Sequence, residues 1–376
     1  MQDAPLASDS TAAATSSASL PLPWLAAPLR DALATQRTHA LLLHGPQGVG
    51  QFEMALTLAQ AWLCDSTSSV HNASEGDTPR PCGVCASCRL VHARSHPDLM
   101  VLIPEALRSA LGWNADDAGE EGGSGSTDAA GKRKPSKDIR VAEVRRILAF
   151  AHTTAAREHG KVVVVYPAEA MNTIAANALL KILEEPTGRL RFVLAGSSAD
   201  TLLPTIRSRC QSLWLGVPDA AVAAAWLRAQ GVPRPEVLLT AAGGQPQEAL
   251  NWFREGIDAQ AWLSLPQQLA RGEVASLPTW PLARVVDMMF KLCHDAMRMT
   301  AGAAPRYFPP EAMPTVANGA SDLAALSGWY RELGRIARHA EHPWQAALTI
   351  ESLVWQAKTA LAVTKSSSTR ASRSIN

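Results

Sequence analysis

Gly45-Pro46-Gln47-Gly48-Val49-Gly50-Gln51-Phe52 follows an apolar run, His39-Ala40-Leu41-Leu42-Leu43-His44, and opens an apolar-periodic stretch from Phe52 to Leu63. Strand, glycine loop, helix is the context of a phosphate-binding loop, in which backbone N–H groups at a helix N-terminus cradle phosphate. In a working loop a Lys after the last glycine reaches the β/γ-phosphates, and a following Ser or Thr hydroxyl binds Mg²⁺. Here those positions are Gln51 and Phe52. Gln is uncharged and Phe offers a cation no oxygen. The loop formed by Gly45, Gly48, Gly50, Gln51 and Phe52 is therefore read as degenerate, with weak nucleotide binding or none.

Working outward, Lys161-Val162-Val163-Val164-Val165 is a continuous β-branched run, as a strand buried on both faces of a parallel sheet requires. Leu99 to Ile103 and Leu190 to Ala195 read as further strands. Helical spacing runs through Ile139 to His152, Ala175 to Glu185 (stopped by Pro186) and the short stretch Thr201 to Ser208. Strands alternating with helices predict an α/β doubly wound parallel sheet of the P-loop type. After Pro218 strand patterns cease, and Ala, Leu and Trp recur at helical spacing. Asp219 to about Phe253 reads as a small helical domain. Ala259 to about Val363 reads as a larger helical bundle, with its Leu, Met and Trp side chains in the core.

The strand Val162 to Val165 runs into Tyr166-Pro167, where an active P-loop enzyme carries adjacent acids for Mg²⁺ and the attacking water. Neither residue can do that work. The first acid, Glu169, is expected beyond the strand end and exposed. Two independent parts of one catalytic centre are missing.

Cys82-Gly83-Val84-Cys85-Ala86-Ser87-Cys88 places three thiols at two-residue gaps, with Cys64 upstream at the end of the loop helix. Four thiolates so spaced suit a closed, structural Zn²⁺ site. Free thiols, or a site completed by His92 or His96 instead of Cys64, are the other readings. Cys210 and Cys293 have no neighbours at ligand spacing and read as buried thiols. Arg209, in Arg207-Ser208-Arg209-Cys210, carries the permanently charged planar group that stabilises a transferring phosphate. By itself it reads first as a surface or ion-paired arginine.

The chain has 376 residues, enough for two or three domains, and a net charge of +1 from 35 Lys+Arg and 34 Asp+Glu. That balance opposes a protein gripping DNA mainly through its own backbone contacts. No stretch approaches the roughly 20 apolar residues of a membrane span. The Ala/Ser/Thr-rich start has no cationic leader, so a cytoplasmic location is expected. In that compartment six cysteines point to metal or free thiols. Low-complexity stretches at 1–20, 107–138 and 365–376 are expected to be disordered.

Together Asn177-Ala178-Leu179-Leu180-Lys181-Ile182-Leu183-Glu184-Glu185-Pro186, Ser208-Arg209-Cys210 and the cysteine module resemble the clamp-loader subunits of bacterial DNA polymerase III, within the AAA+ ATPase superfamily. The resemblance covers roughly Leu20 to Val363. The cysteine module is similar to that of both the gamma/tau and delta prime groups. The altered loop and the missing acids match delta prime alone.

The resemblance implies an ATPase-like domain (21–216) with a zinc module (64–88), a helical lid (217–258) and a helical collar (259–364). It implies that Arg209 is an arginine finger acting on ATP held by a neighbouring gamma/tau subunit. Cys64, Cys82, Cys85 and Cys88 then hold one Zn²⁺. Gln247 stands where active relatives place a nucleotide-sensing arginine. The implied partners are gamma/tau and delta in a hetero-pentameric ring, with the sliding clamp and primer–template DNA reached through the complex. The insertion at 107–138 departs from the family pattern. Two competing classes are an ATPase in its own right and a stand-alone zinc-dependent DNA-binding protein. The first is opposed by Gln51, Phe52, Tyr166 and Pro167, the second by the near-zero charge.

Overall fold

The computed structural model describes residues 22–66, 81–113, 135–186, 188–274, 277–314, 320–338 and 346–362. The chain divides into two compact units, Met1–Gly216 and Val217–Asn376.

The first unit is built on five strands: β1 (Ala40–His44), β2 (Leu99–Leu102), β3 (Lys161–Val165), β4 (Leu190–Gly196) and β5 (Gln211–Trp214). All are parallel, in the order β2-β3-β4-β1-β5. Every residue of β3 is buried, because the sheet is covered on both faces. Even-numbered β1 residues and odd-numbered β3 residues (Ala40, Leu42, Val163, Val165) share a cluster with Val144, Ile147, Leu179 and Ile182. Those four come from α5 (Val141–His152) and α6 (Thr173–Glu184). Under the other face runs α2 (Gln51–Leu63), buried along most of its length. The remaining helices of this unit are α1 (Ala26–Thr35), α3 (Ala86–His92), α4 (Glu105–Arg108) and α7 (Pro204–Arg207).

Caps fix the helix ends that matter for the site. The Asn172 carboxamide oxygen accepts from the Ala175 N–H and starts α6. At the far end of α5, Lys161 donates to the carbonyls of Phe150 (2.5 Å) and Thr153 (2.6 Å), placing a cation on a helix C-terminus.

Three details differ from the sequence reading. The helix expected over Thr201 to Ser208 contracts to the single turn of α7, started by Pro204. Strand β5 carried no legible signal, being a four-residue edge strand with alternate residues in solvent. Of the expected 107–138 insertion, residues 107–113 and 135–138 are folded. There the Ser136 N–H donates to Glu105 at 3.0 Å. Residues 114–134, like the expected tails at 1–20 and 365–376, lie outside the described residues.

The second unit is helical among its described residues: α8 (Ala220–Ala229), α9 (Pro235–Ala241), α10 (Pro246–Arg254), α11 (Ala259–Arg271), α12 (Leu282–Thr300), α13 (Ala320–Ala337) and α14 (Ala346–Ala362). One apolar cluster runs from Ala223 to Leu361. Trp262 stacks on Phe308 at 4.5 Å and lies 5.0 Å from Trp252, so these tryptophans are core. Among the described tryptophans of this unit, Trp355 is exposed (66%). Asp295, fully buried in α12, accepts from the N–H groups of Arg306, Tyr307 and Phe308 at 2.7–2.9 Å and ties down the turn after the helix. No described helix is long and apolar enough to cross a membrane.

Candidate functional site

The glycine loop lies between β1 and α2, at the carboxyl end of the sheet. A Cβ on Gly45 would come within 2.0 Å of the Leu215 carbonyl oxygen, and Gly50 adopts φ +99° to turn the chain into the helix. The backbone thus keeps the shape of a phosphate loop, but its interior is taken. Gln51, 3% exposed, folds back so that its Nε2 donates to the carbonyls of Gly45 (2.8 Å) and Pro46 (2.6 Å). Trp24 Nε1 donates to the Val49 carbonyl at 2.8 Å from outside the loop. Phe52 packs on Tyr166 with ring centroids 5.1 Å apart and meets the edge of Trp113 at 6.3 Å. The Arg94 guanidinium covers Trp113 at 5.3 Å.

A cluster of rings therefore stands where an active loop would place the Mg²⁺-binding hydroxyl. Burial, reinforced by the charges of Glu53 and Glu169, pushes the Tyr166 hydroxyl up to about 12. Glu169 is half-buried, contrary to expectation. Its Oε1 accepts from the Ser197 N–H (2.9 Å) and Oγ (2.7 Å) at the end of β4. Trp24 and Trp113 belong to the site although no local pattern marked them, since each arrives from a distant segment and only packing reveals it.

The four cysteines converge. Their sulfurs all lie within 4.8 Å of one another, with Cys64–Cys85 and Cys82–Cys88 both at 3.9 Å. A tetrahedron of Zn–S bonds of about 2.3 Å has edges of ~3.8 Å. The donor set and its spacing fit that ion. The N–H groups of Cys82, Cys85 and Cys88 donate to the sulfurs of Cys64, Cys82 and Cys85 at 3.5, 3.4 and 3.3 Å, as suits thiolate ligands. Burial pushes the Cys64 and Cys88 thiols up. Burial also works on Cys82, but the N–H groups of Val84 and Cys85 outweigh it and bring that thiol down to about 7.

His92 and His96 are engaged elsewhere. His92 meets Gln60 at 3.0 Å, while His96 meets Ser87 Oγ at 3.3 Å and accepts from the Asp98 N–H at 3.1 Å. Asp65, next to Cys64, accepts from the Ser87 N–H (3.1 Å) and Oγ (2.8 Å) and pairs with Arg157 at 3.2 Å. This carboxylate joins the cysteine module to the loop that leads into β3. Cys210 is half-buried and Cys293 fully buried, and burial raises them to about 11 and about 12.

Arg209 follows the single turn of α7. Its Nη2 pairs with Glu184 Oε1 at 2.5 Å, and its Nη1 donates to the Thr205 carbonyl at 2.9 Å. The side chain keeps 36% of its surface in solvent. Neighbouring Arg207 pairs with Asp200 at 3.0 Å. Glu184, the last residue of α6, is a partner that sequence reasoning missed. In the second unit Gln247 occupies the first turn of α10.

A parallel α/β unit with a glycine loop between an inner strand and a buried helix defines a P-loop-type protein, here with the loop closed by its own side chains. A family model described as "DNA polymerase III, delta subunit" matches residues 25–218. The chain is 35% identical over 281 residues to DNA polymerase III subunit delta' of Pseudomonas aeruginosa, covering 69% of this chain and 74% of that one. It is 30% identical over 294 residues to the Yersinia pestis subunit delta', covering 71% and 76%. A shorter match, 33% over 184 residues, reaches DNA polymerase III subunit gamma/tau of Mycobacterium tuberculosis, covering 49% and 25%. The chain belongs to the DNA polymerase III delta prime family.

Proposed function

We propose that this chain is the non-hydrolysing subunit of the DNA polymerase III clamp loader, working in DNA replication through a partner's ATP. The observation that carries this reading is the closed loop. Gln51 makes hydrogen bonds inside the loop, Phe52 and Tyr166 fill the cation position, and Tyr166-Pro167 stand directly after β3 where adjacent acids are needed. A loop so filled has lost the charge, the hydroxyl and the acids that transfer of a phosphoryl group requires.

Arg209 acts in trans. It contributes a guanidinium to ATP held by a neighbouring gamma/tau subunit, where charge spreads over the transferring phosphate. Its position just after a one-turn helix, partly exposed and held by Glu184, Thr205 and Ser208, suits a side chain that must change partners. Cys64, Cys82, Cys85 and Cys88 hold one structural Zn²⁺, which ties the end of α2 to the start of α3. In this reading 21–216 is the ATPase-like domain, 217–258 a lid and 259–364 a collar that packs in a pentameric ring with gamma/tau and delta. The sliding clamp and primer–template DNA are engaged by the ring, in the cytoplasm.

The test is the ATPase rate of the ring rebuilt with gamma/tau and delta, comparing wild type, Arg209→Ala and this chain alone. The expected result is a silent isolated chain and an intact Arg209→Ala ring slowed about tenfold or more, since fingers in related reactions contribute beyond that. Turnover by the chain alone, or an unchanged Arg209→Ala ring, would refute the reading.

A further inference from the structure

We propose that the end of the sheet opposite the glycine loop carries a groove for the phosphodiester backbone of single-stranded nucleic acid. A cavity of about 660 Å³ opens there, where β3, β4 and β1 begin. Arg37 enters it from the residues before β1, Arg189 and Arg191 from the start of β4, with His39 and His159 beside them. Glu158 is the only acid among its lining residues. Three guanidinium groups against one carboxylate make a local excess of two, in a chain whose net charge is +1.

Cations at this end of a parallel sheet have an ordinary task, because the helices run antiparallel to the strands and end here with their negative poles. The His39 ring nitrogen meets the Leu183 carbonyl in the last turn of α6 at 2.8 Å. Lys161 performs the task for α5. Arg37 and Arg189 do not. Both side chains are exposed, and neither guanidinium has a carboxylate partner among the described residues. Arg189 donates only a 3.3 Å hydrogen bond to the Glu158 carbonyl. Arg191 lies over the Trp62 ring at 5.3 Å, which holds it along one wall.

The backbone beneath is fixed: the Lys161 N–H donates to the Arg189 carbonyl at 3.0 Å and the Phe192 N–H to the His39 carbonyl at 2.7 Å. The three arginines therefore project from two neighbouring strands about 4.8 Å apart, Arg189 and Arg191 lying two residues, about 7 Å, apart along β4. A single anion needs donors that converge on a point. Donors spread along one strand and across to the next suit a chain of phosphates. Guanidinium forks match phosphate oxygens in pairs.

The full chain is titrated against a labelled oligothymidylate of about 20 nucleotides by fluorescence anisotropy, from about 50 to about 300 mM salt. Three phosphate contacts predict a slope of log affinity on log salt near −2. Arg37→Ser with Arg189→Ser is expected to weaken binding about tenfold or more at the lowest salt and to flatten the slope by about 1.4. Arg37→Glu alone, at an exposed position, is expected to weaken it comparably while the thermal melt stays unchanged. Equal affinity and slope in wild type and both variants would overturn the proposal, as would no binding by wild type. Poly-glutamate displacing the oligonucleotide at equal charge would reassign the groove to an acidic peptide. A blunt duplex competing equally per phosphate would overturn the single-strand assignment.

Discussion

Glu184→Gln tests the proposed trans role of Arg209, which the ion pair with Glu184 would hold in reserve. The two side chains keep 36% and 48% of their surface in solvent, so their pair belongs to the weak class worth about 0.2–1 kcal/mol. Converted at 1.4 kcal/mol per decade, that is a factor of about 1.4 to 5 in the population of released Arg209. If release precedes contact with a neighbour's ATP, the apparent rate rises by that same factor, because only the released fraction is competent. The hydrogen bond to the Thr205 carbonyl survives the change and keeps the side chain on the same side of the turn. The assay is DNA- and clamp-stimulated ATP hydrolysis by the reconstituted ring. The expected gain shrinks as salt is raised, since the pair is exposed and screened. A loss as deep as that of Arg209→Ala would refute the reasoning. It would mean that Glu184 aims the arginine rather than stowing it.

Metal analysis of the purified chain is expected to find one equivalent of zinc, and Cys88→Ser to lower both zinc content and melting temperature; far less than one equivalent in wild type would sink the site. Restoring loop chemistry with Gln51→Lys and Phe52→Thr is expected to destabilise the chain by roughly 3–5 kcal/mol, through loss of a buried ring and of the loop's inner hydrogen bonds. It yields no ATP turnover, because Tyr166 and Pro167 supply no acid; phosphate release above background would contradict this. Tyr166 sets a third check. A hydroxyl raised to about 12 in the fold and ordinary when unfolded keeps its proton while the unfolded chain loses one. Stability is therefore unaffected below about pH 10 and falls by up to ~1.4 kcal/mol per unit between about 10 and 12. Ultraviolet titration should show one of the three tyrosines ionising late, and all three ionising together would refute it.

How much of this was legible in the sequence follows from where each element sits. Strands β1, β3 and β4 are covered on both faces, so their apolar runs stand out, interrupted in β4 by Arg191 near its start. Strand β5 lies at an edge with Ser212 and Trp214 in solvent, and four residues with that pattern look like a turn. The cysteines were legible because metal geometry constrains spacing, whereas the anchoring role of Asp65 depends on Ser87 and Arg157 arriving from elsewhere. The loop's lost chemistry could be read from Gln51 and Phe52, but not the way Gln51 bends inward. That depends on two carbonyl oxygens whose direction only the folded loop defines. Arg209 was visible, but its pairing with Glu184 joins two residues that folding alone brings together. The same holds for Arg37 and Arg189, which share one groove from opposite halves of the sheet sequence.

Gln51 has a consequence for how the subunit experiences the cell's energy supply. A protein that needs nucleotide to order its loop gains stability in proportion to the logarithm of ligand concentration, so its melting temperature drifts with the ATP pool. In this chain the amide that orders the loop is covalently present at fixed stoichiometry. That removes the concentration dependence from this element. The loop is then ordered alike in starvation and in growth, without waiting for nucleotide.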